Sequence, residues 1–270
     1  VSEMNQTALN EPSEKKPIVL KSVNLSVQFG GFFAIRDFSF TIPEGELHFL
    51  VGPNGAGKTT FLDAICGKAP VSKGSLLFHG DLELSKLKEF ERVRYGIGRK
   101  FQAPSIFPKL TVFENLELSM KQDKRLFPIL FSKMKAEERD RMDDMLAFIG
   151  LSDERHRIAQ TLSHGQKQWL EIGMVMMQEP KLLLLDEPIA GMTETEEEKT
   201  GELLLSLKSR CSIIVVEHDM GFVRSYADRV TVMHEGQLLC DGTIDEVHHN
   251  EQVIEVYLGR KEGSPHATAL

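Results

Sequence analysis

The chain reads as an α/β protein with a core sheet of parallel strands, an antiparallel β subdomain near its N-terminus and a helical subdomain inserted between two parts of the sheet. Apolar residues alternate from Val19 onward, with Val23, Leu25, Val27 and Phe29 facing one way, followed by Phe38, Phe40 and Ile42; this is the period-2 pattern of half-buried strands. The apolar run "ELHFLV" (46–51) stops at a glycine loop, and "TTFLDAIC" after it has helical spacing. Later, "KLLLLD" and "CSIIVVEHD" are apolar at successive positions, which marks parallel strands buried on both faces.

In chain order, residues 1–17 form a polar tail containing Pro12 and Pro17. The core and the β subdomain take up 18–102 and 180–260. The helical lobe occupies 103–179, where Glu, Met, Leu and Lys dominate and "ERDRMDDMLAFIG" has helical spacing. Residues 261–270 are a C-terminal tail. No internal repeat is visible.

With 270 residues, 41% hydrophobic and 27% charged, the composition is ordinary for a globular protein with a sizeable core. A formal net charge of -8 argues against a nucleic-acid partner, which would require a broad basic face. Any phosphate is therefore bound locally. Cys66, Cys211 and Cys240 lack the spacing of a zinc site or a redox dithiol. No stretch approaches 18 apolar residues, and Glu3, Glu11, Glu14, Lys15 and Lys16 stand where a signal peptide would be apolar. The expectation is a chain that neither spans a membrane nor is exported.

"GPNGAGKT" (52–59) fits the pattern Gly, four residues, Gly-Lys-Ser/Thr between a buried strand and a helix. Gly52, Gly55 and Gly57 let successive amides point at one anion, and the helix N-terminus adds partial positive charge. Lys58 would reach the β- and γ-phosphates of a nucleotide, and the Thr59 hydroxyl would ligate Mg²⁺. The fold class sharpens to a P-loop NTPase core of the RecA-like kind. The cradle comprises Gly52, Pro53, Asn54, Gly55, Ala56, Gly57, Lys58, Thr59 and Thr60.

Asp186 ends an apolar strand, where a carboxylate can hold the Mg²⁺ shell beside the loop. Glu187 follows and is the candidate to orient and deprotonate the attacking water, a role typically worth about 10²- to 10⁴-fold in rate. His218 follows the other strand. It is either a structural hydrogen-bonder or a contact to the γ-phosphate that holds Glu187 in line.

"LSHGQKQ" (162–168) resembles the signature LSGGQ of ATP-binding cassette (ABC) proteins. The order Gln102 in "GIGRKFQ", Ser163, Asp186 and His218 matches that family, and the resemblance covers about 18–260. It implies an ATPase in which ATP is sandwiched between two cassettes, the P-loop of one facing Ser163, Gly165 and Gln166 of the other. It also implies that Phe29 stacks on adenine, although core packing is the competing reading for an aromatic on an alternating strand. Gln102 would touch Mg²⁺, giving the metal set Thr59, Gln102 and Asp186, and would report to a membrane subunit. The implied partners are a second ATPase subunit, two integral-membrane permease subunits and, indirectly, a solute receptor. The implied location is the cytoplasmic face of the inner membrane.

The chain departs from the family pattern at two places. His164 replaces the first glycine of the signature, and Thr193 stands where many cassettes carry an aspartate in the D-loop. The phrases "SVQFGGFFAIRDFSF", "GIGRKFQAPSIFPKLTVFENLEL", "LSHGQKQWLEIGMVMMQEPKLLLLDEPIAGMT" and "VIEVYLGR" are similar to the urea-uptake branch of the branched-chain amino acid cassettes, and to its D-type subunit. Uptake of urea or related small amides is thus the expected function, with branched-chain amino acid import or a non-transport soluble cassette ATPase as alternatives. Trp169, Met174, Met176 and Met177 read as helical-lobe core. The acidic run "ETEEEK" reads as a solvated helix start. The segment "PSIFPKLTVFENL" fits either a docking site for a permease helix or ordinary lobe core.

Overall fold

The computed structural model describes residues 16–100, 105–120 and 135–258. Four strands, β1 (Ile18–Phe29), β2 (Phe32–Pro43), β4 (Val71–Phe78) and β5 (Leu82–Glu83), pair antiparallel in the order β2-β1-β4-β5. A second sheet has the order β10-β9-β3-β8-β7-β6. It comprises β3 (Leu47–Val51), β6 (Ile97–Lys100), β7 (Leu182–Asp186), β8 (Ser212–Val216), β9 (Arg229–His234) and β10 (Gln237–Gly242). All pairs in it are parallel except the edge pair β9–β10. The predicted α/β class with an antiparallel sheet is the observed one.

One detail of the alternation is corrected. Val23 and Leu25 do not share a face: Leu25 is fully buried and Val23 is exposed. A β-bulge shifts the register between Ser22 and Leu25, and Asn24 adopts φ 47°, so the strand skips one position. The partner strand accommodates this with Gly74, where a Cβ would lie 2.3 Å from the Asn24 carbonyl oxygen. Phe29 also leaves the buried face and is half-exposed at the end of the hairpin.

The helices are α1 (Lys58–Cys66), α2 (Glu89–Tyr95), α3 (Val112–Ser119), α4 (Ala136–Phe148), α5 (His164–Met176), α6 (Glu194–Leu207), α7 (Met220–Tyr226), α8 (Ile244–His248) and α9 (Glu251–Leu258). α3, α4 and α5 fall between β6 and β7 in the chain. Helices α3, α5, α6 and α8 begin with reciprocal capping boxes, Thr111/Glu114, Ser163/Gln166, Thr193/Glu196 and Thr243/Glu246. Such a cap is typically worth about 1 kcal/mol.

The six-stranded sheet separates two cores, which is why its central strands are apolar at both faces. Leu183, Leu185, Ile213 and Val215 pack with Leu116, Leu146, Leu170 and Ile172 of the helical lobe. Leu182, Leu184, Ile214 and Val216 pack with Phe61 and Leu62 of α1 and with Leu25, Phe38 and Phe40 of the antiparallel sheet. The Phe61 ring meets Phe38 edge-on at 4.9 Å and Phe40 at 5.3 Å. Buried side chains of this size each stabilise by about 1.5–3 kcal/mol, so α1 is pinned to the antiparallel sheet behind the loop that precedes it. Trp169, Met174, Met176 and Met177 are in the helical-lobe core, as expected from their spacing. No described helix is long and apolar enough to cross a membrane.

Candidate nucleotide site

The order β3-β8-β7 brings the ends of three adjacent parallel strands together: the glycine loop follows β3, Glu187 follows β7, and His218 lies just past β8. Such an edge is where parallel sheets bind ligands. Gly52 has φ 146°, and a Cβ there would lie 2.1 Å from the Met233 carbonyl oxygen. Gly57 has φ 99° and a Cβ would lie 2.6 Å from the Ala34 carbonyl oxygen. At Gly52 and Gly57 the loop is therefore wedged against β9 and β2 with no space for a side chain, which holds the amides there in place. Gly55, at φ 81°, faces open space.

Gly57 is the N-cap of α1, which has neither a side-chain cap nor an acidic residue in its first turn. Its first amides thus lack the capping that starts α3, α5, α6 and α8, and an anion can take that place. Lys58 folds over the loop and donates to the Gly52 carbonyl at 2.7 Å and the Pro53 carbonyl at 3.1 Å. Burial lowers its pKa, while Glu187 and Asp186 nearby oppose that shift.

Asp186 is buried at the end of β7, where burial raises its pKa; Arg99 and the neighbouring Thr59 hydroxyl oppose this, and Glu187 adds to it. Arg99, on the neighbouring strand β6, bridges Asp63 of α1 at 2.5 Å and Asp186 at 3.4 Å. Thr59 and Asp186 thus offer adjacent hard oxygen donors, which suit Mg²⁺ bound with water and phosphate oxygens. Among the described residues no cluster of three His, Cys, Asp or Glu side chains could hold a metal ion.

Glu187 has φ 48°, a left-handed conformation that costs a non-glycine residue roughly 1–2 kcal/mol. Its amide donates to the Val216 carbonyl at 2.9 Å, and the chain turns sharply into the Ala190–Met192 segment. The turn aims Glu187 at His218, whose Nδ1 lies 3.7 Å from Glu187 Oε1. Glu217 also faces that nitrogen, at 3.8 Å. Glu217 is buried and accepts from the Ile189 amide at 3.3 Å and the His218 amide at 3.1 Å. Burial raises its pKa, and the two backbone donors oppose the shift.

Ser163, Gly165 and Gln166 lie at the start of α5. Ser163 is its N-cap, and the Gln166 side chain is engaged with the Ser163 amide at 3.0 Å. The Ser163 hydroxyl donates to Glu196 on α6 at 2.8 Å. His164 contacts the Ala190 carbonyl through Nε2 at 3.0 Å, so the departure from the signature ties α5 to the turn after Glu187. Thr193 is the N-cap of α6, a role aspartate fills equally well.

Phe29 is 51% exposed and Phe32, its partner across the hairpin, 68%. The core-packing reading of Phe29 therefore fails. Gln102 lies outside the described residues. Its flanks, Lys100 and Ser105, both meet the buried Glu171 of α5: Lys100 Nζ at 3.6 Å and the Ser105 amide at 2.6 Å. In the segment "PSIFPKLTVFENL", Val112 and Leu116 are buried and Phe107 is exposed, so its described part divides between core and surface. A groove of about 280 Å³ beside it is lined by Cys66, Arg92, Gly98, Arg99, Ser119 and Met174, away from the glycine loop.

Sequence reasoning left out Arg99, Glu196 and Glu217. Arg99 and Lys100 form a pair of cations on an otherwise apolar strand, and Glu217 is a carboxylate directly after "SIIVV". For Arg99 and Glu217 the ionisable residue at a buried strand end is itself the signal; Glu196, in the first turn of α6, carries none.

Residues 35–190 match the family described as ABC transporter. The high-affinity branched-chain amino acid transport ATP-binding protein LivG of Salmonella typhimurium is 35% identical over 250 residues, covering 89% of this chain and 98% of that protein. The ADP conformation of MJ1267, an ATP-binding cassette of an ABC transporter, superposes with a TM-score of 0.77 at 30% identity, covering 90% of this chain and 99% of that one. The cassette MJ0796, solved as a dimer in a post-hydrolysis state bound to ADP and Pi, gives a TM-score of 0.69 at 25% identity, over 83% and 98% of the two chains.

Proposed function

This chain belongs to the ABC transporter family as an ATP-hydrolysing cassette, and from that premise we propose that it powers import of branched-chain amino acids or closely related small solutes. The solute class rests on the relative's function, since no residue described here would touch the solute. Urea is the second reading, favoured by the long phrases around Phe29, Gln102, the signature and the C-terminus. The proposed partners are a second cassette, two membrane permease subunits at the cytoplasmic face of the membrane and, indirectly, a solute receptor.

The observation that carries the catalytic proposal is the Asp186–Glu187 step, where the chain turns left-handed so that one carboxylate meets Thr59 and the next faces His218. The triphosphate takes the amides of the glycine loop and the uncapped start of α1. Lys58 exchanges its bonds to Gly52 and Pro53 for the β- and γ-phosphate oxygens. Mg²⁺, held by Thr59 and Asp186 with Gln102, supplies charge neutralisation on those oxygens when bound. Glu187 accepts the proton of the attacking water as its oxygen bonds to the γ-phosphorus, and the bond to the ADP oxygen breaks. His218 holds Glu187 and the γ-phosphate in line.

Phe29 stacks on the adenine. Ser163, Gly165 and Gln166 complete the site of the facing cassette, so ATP favours a closed pair and hydrolysis reopens it. Moving such an equilibrium from 1:99 to 99:1 requires about 5.5 kcal/mol of differential affinity, within reach of two shared triphosphates. The groove lined by Val93, Ser105 and Ser119, with Val93 exposed, is the proposed contact with a permease.

The test is turnover in the complex reconstituted with its membrane subunits and receptor. Stimulation by leucine-loaded receptor supports the first reading of the solute, and stimulation by urea alone replaces it with the second. If Glu187→Gln hydrolyses ATP as fast as the wild type, the catalytic proposal is wrong.

A further inference from the structure

We propose that Glu196 is a positioning residue of the ATPase cycle, whose carboxylate occupies Ser163 and Gly165 until the γ-phosphate of a nucleotide on the facing cassette replaces it. The inference rests on the reading of Ser163 and Gly165 as phosphate donors.

The two oxygens of Glu196 do different work. Oε2 completes the capping box of α6, accepting from the Thr193 amide at 3.1 Å and the Thr193 hydroxyl at 3.2 Å. Oε1 reaches across to α5 and accepts the Ser163 hydroxyl at 2.8 Å. The Gly165 backbone lies beside the same carboxylate and helps to lower its pKa. A Cβ on Gly165 would lie 2.6 Å from Oε1, so the carboxylate rests directly on that residue, and any side chain there would expel it.

A capping box requires only the oxygen that bonds its own N-cap. The bond to Ser163 and the contact with Gly165 are additional, and they cover the donors that a phosphate would need. A hydroxyl and an amide each carry one proton to donate. Glu196 and a phosphoryl oxygen cannot both take them, and two anions at hydrogen-bond distance repel. Ser163 is exposed and Glu196 part-exposed, so the exchange needs no opening of the core. The donors around the carboxylate lower its pKa, so it is ionised at neutral pH and competes as an anion.

Glu196 thereby sets how much ATP is needed to close the pair. It keeps the Ser163 hydroxyl directed and the start of α5 occupied while the interface is open, and it raises the threshold for closure.

The experiment uses the reconstituted transporter and reads the ATP concentration for half-maximal turnover. Glu196→Ala is expected to lower it roughly tenfold, the scale of one charge-assisted hydrogen bond. Glu196→Gln, which keeps an acceptor without charge, lowers it about threefold. Thr193→Ala breaks the capping box but leaves the contact with Ser163, so it lowers the melting temperature while the ATP dependence stays within about twofold. If both Glu196 variants match the wild type or need more ATP, the inference is overturned. Ser163→Ala separates the two layers. Wild-type turnover in that variant removes the reading of Ser163 itself, whereas impaired turnover with unshifted Glu196 variants removes only the role of Glu196.

Discussion

Replacing Glu217 with alanine tests whether the hydrolytic carboxylate is held in place from behind. The substitution removes the acceptor for the Ile189 amide, at 3.3 Å, and for the His218 amide, at 3.1 Å. The Ile189 amide, left unsatisfied in a buried position, costs about 1–3 kcal/mol, and the His218 amide, only part-buried, costs less. Against this, the variant no longer buries a carboxylate, a desolvation cost of several kcal/mol per ion. The two effects are of similar size and opposite sign, so stability is expected to change little. Position is what changes, because Ile189 is two residues from Glu187 and both amides fix the turn that aims it at His218. A misplacement of about 1 Å at a reacting group can cost on the order of 10²-fold in rate. The kcat of ATP hydrolysis should therefore fall roughly 10- to 100-fold, with the ATP Kd of the isolated chain within about threefold of wild type. Glu217→Gln retains one of the two acceptors, enough for the Ile189 amide, and should recover part of the rate.

The same glutamine variant carries a pH signature. Burial raises the Glu217 pKa, so the folded state binds its proton more tightly than the unfolded chain does. Its contribution is then most favourable below the ordinary glutamate pKa of about 4.3 and is lost as pH rises through the higher folded value. Glu217→Gln lacks that loss. Its advantage in urea denaturation should grow across this interval and level off above it. Unchanged kcat in Glu217→Ala, with Glu187→Gln inactive, would refute the positioning argument.

Other expectations follow from the same geometry. Phe61→Ala removes two edge-on ring contacts behind the glycine loop and should cost about 3–5 kcal/mol in urea denaturation; a loss below about 1 kcal/mol would mean that α1 is anchored elsewhere. Gly57→Ala combines a φ of 99° with a Cβ 2.6 Å from the Ala34 carbonyl oxygen, so calorimetry should show ATP affinity weakened at least about tenfold by loop distortion. Phe29→Ala, at a half-exposed position, should change stability by less than about 0.5 kcal/mol. Its loss should appear as weaker ATP binding, by about 0.5–1.5 kcal/mol for a lost aromatic stack.

Much of the fold is legible in the sequence, because its strongest patterns are those that burial enforces. "KLLLLD" and "SIIVV" are apolar throughout because each lies between two cores, and the glycines of the loop mark places where backbone runs against backbone. The errors lie where a local backbone event interrupts the pattern. The bulge at Asn24 flips Val23 outward, and nothing in the alternation announces a single inserted residue. Glu196 belongs to the acidic run read as a solvated helix start, yet it is half-buried and bonded to Ser163; its partner, like Ile189 for Glu217, comes from another segment that only tertiary packing brings near. His164 was recognised as a departure, but its contact with Ala190 depends on how α5 meets the turn after Glu187.

The central claim is that this chain's own loop holds ATP while Ser163 serves the nucleotide of a neighbour. The most direct test is ATP titration of the isolated chain beside turnover of the assembled transporter, for Lys58→Ala and Ser163→Ala. Lys58→Ala should lose binding and turnover together. Ser163→Ala should bind ATP within about twofold of wild type yet lose on the order of 10²-fold in turnover, as for removal of one donor to developing charge. If Ser163→Ala weakens binding in the isolated chain as severely as Lys58→Ala does, the divided site is contradicted.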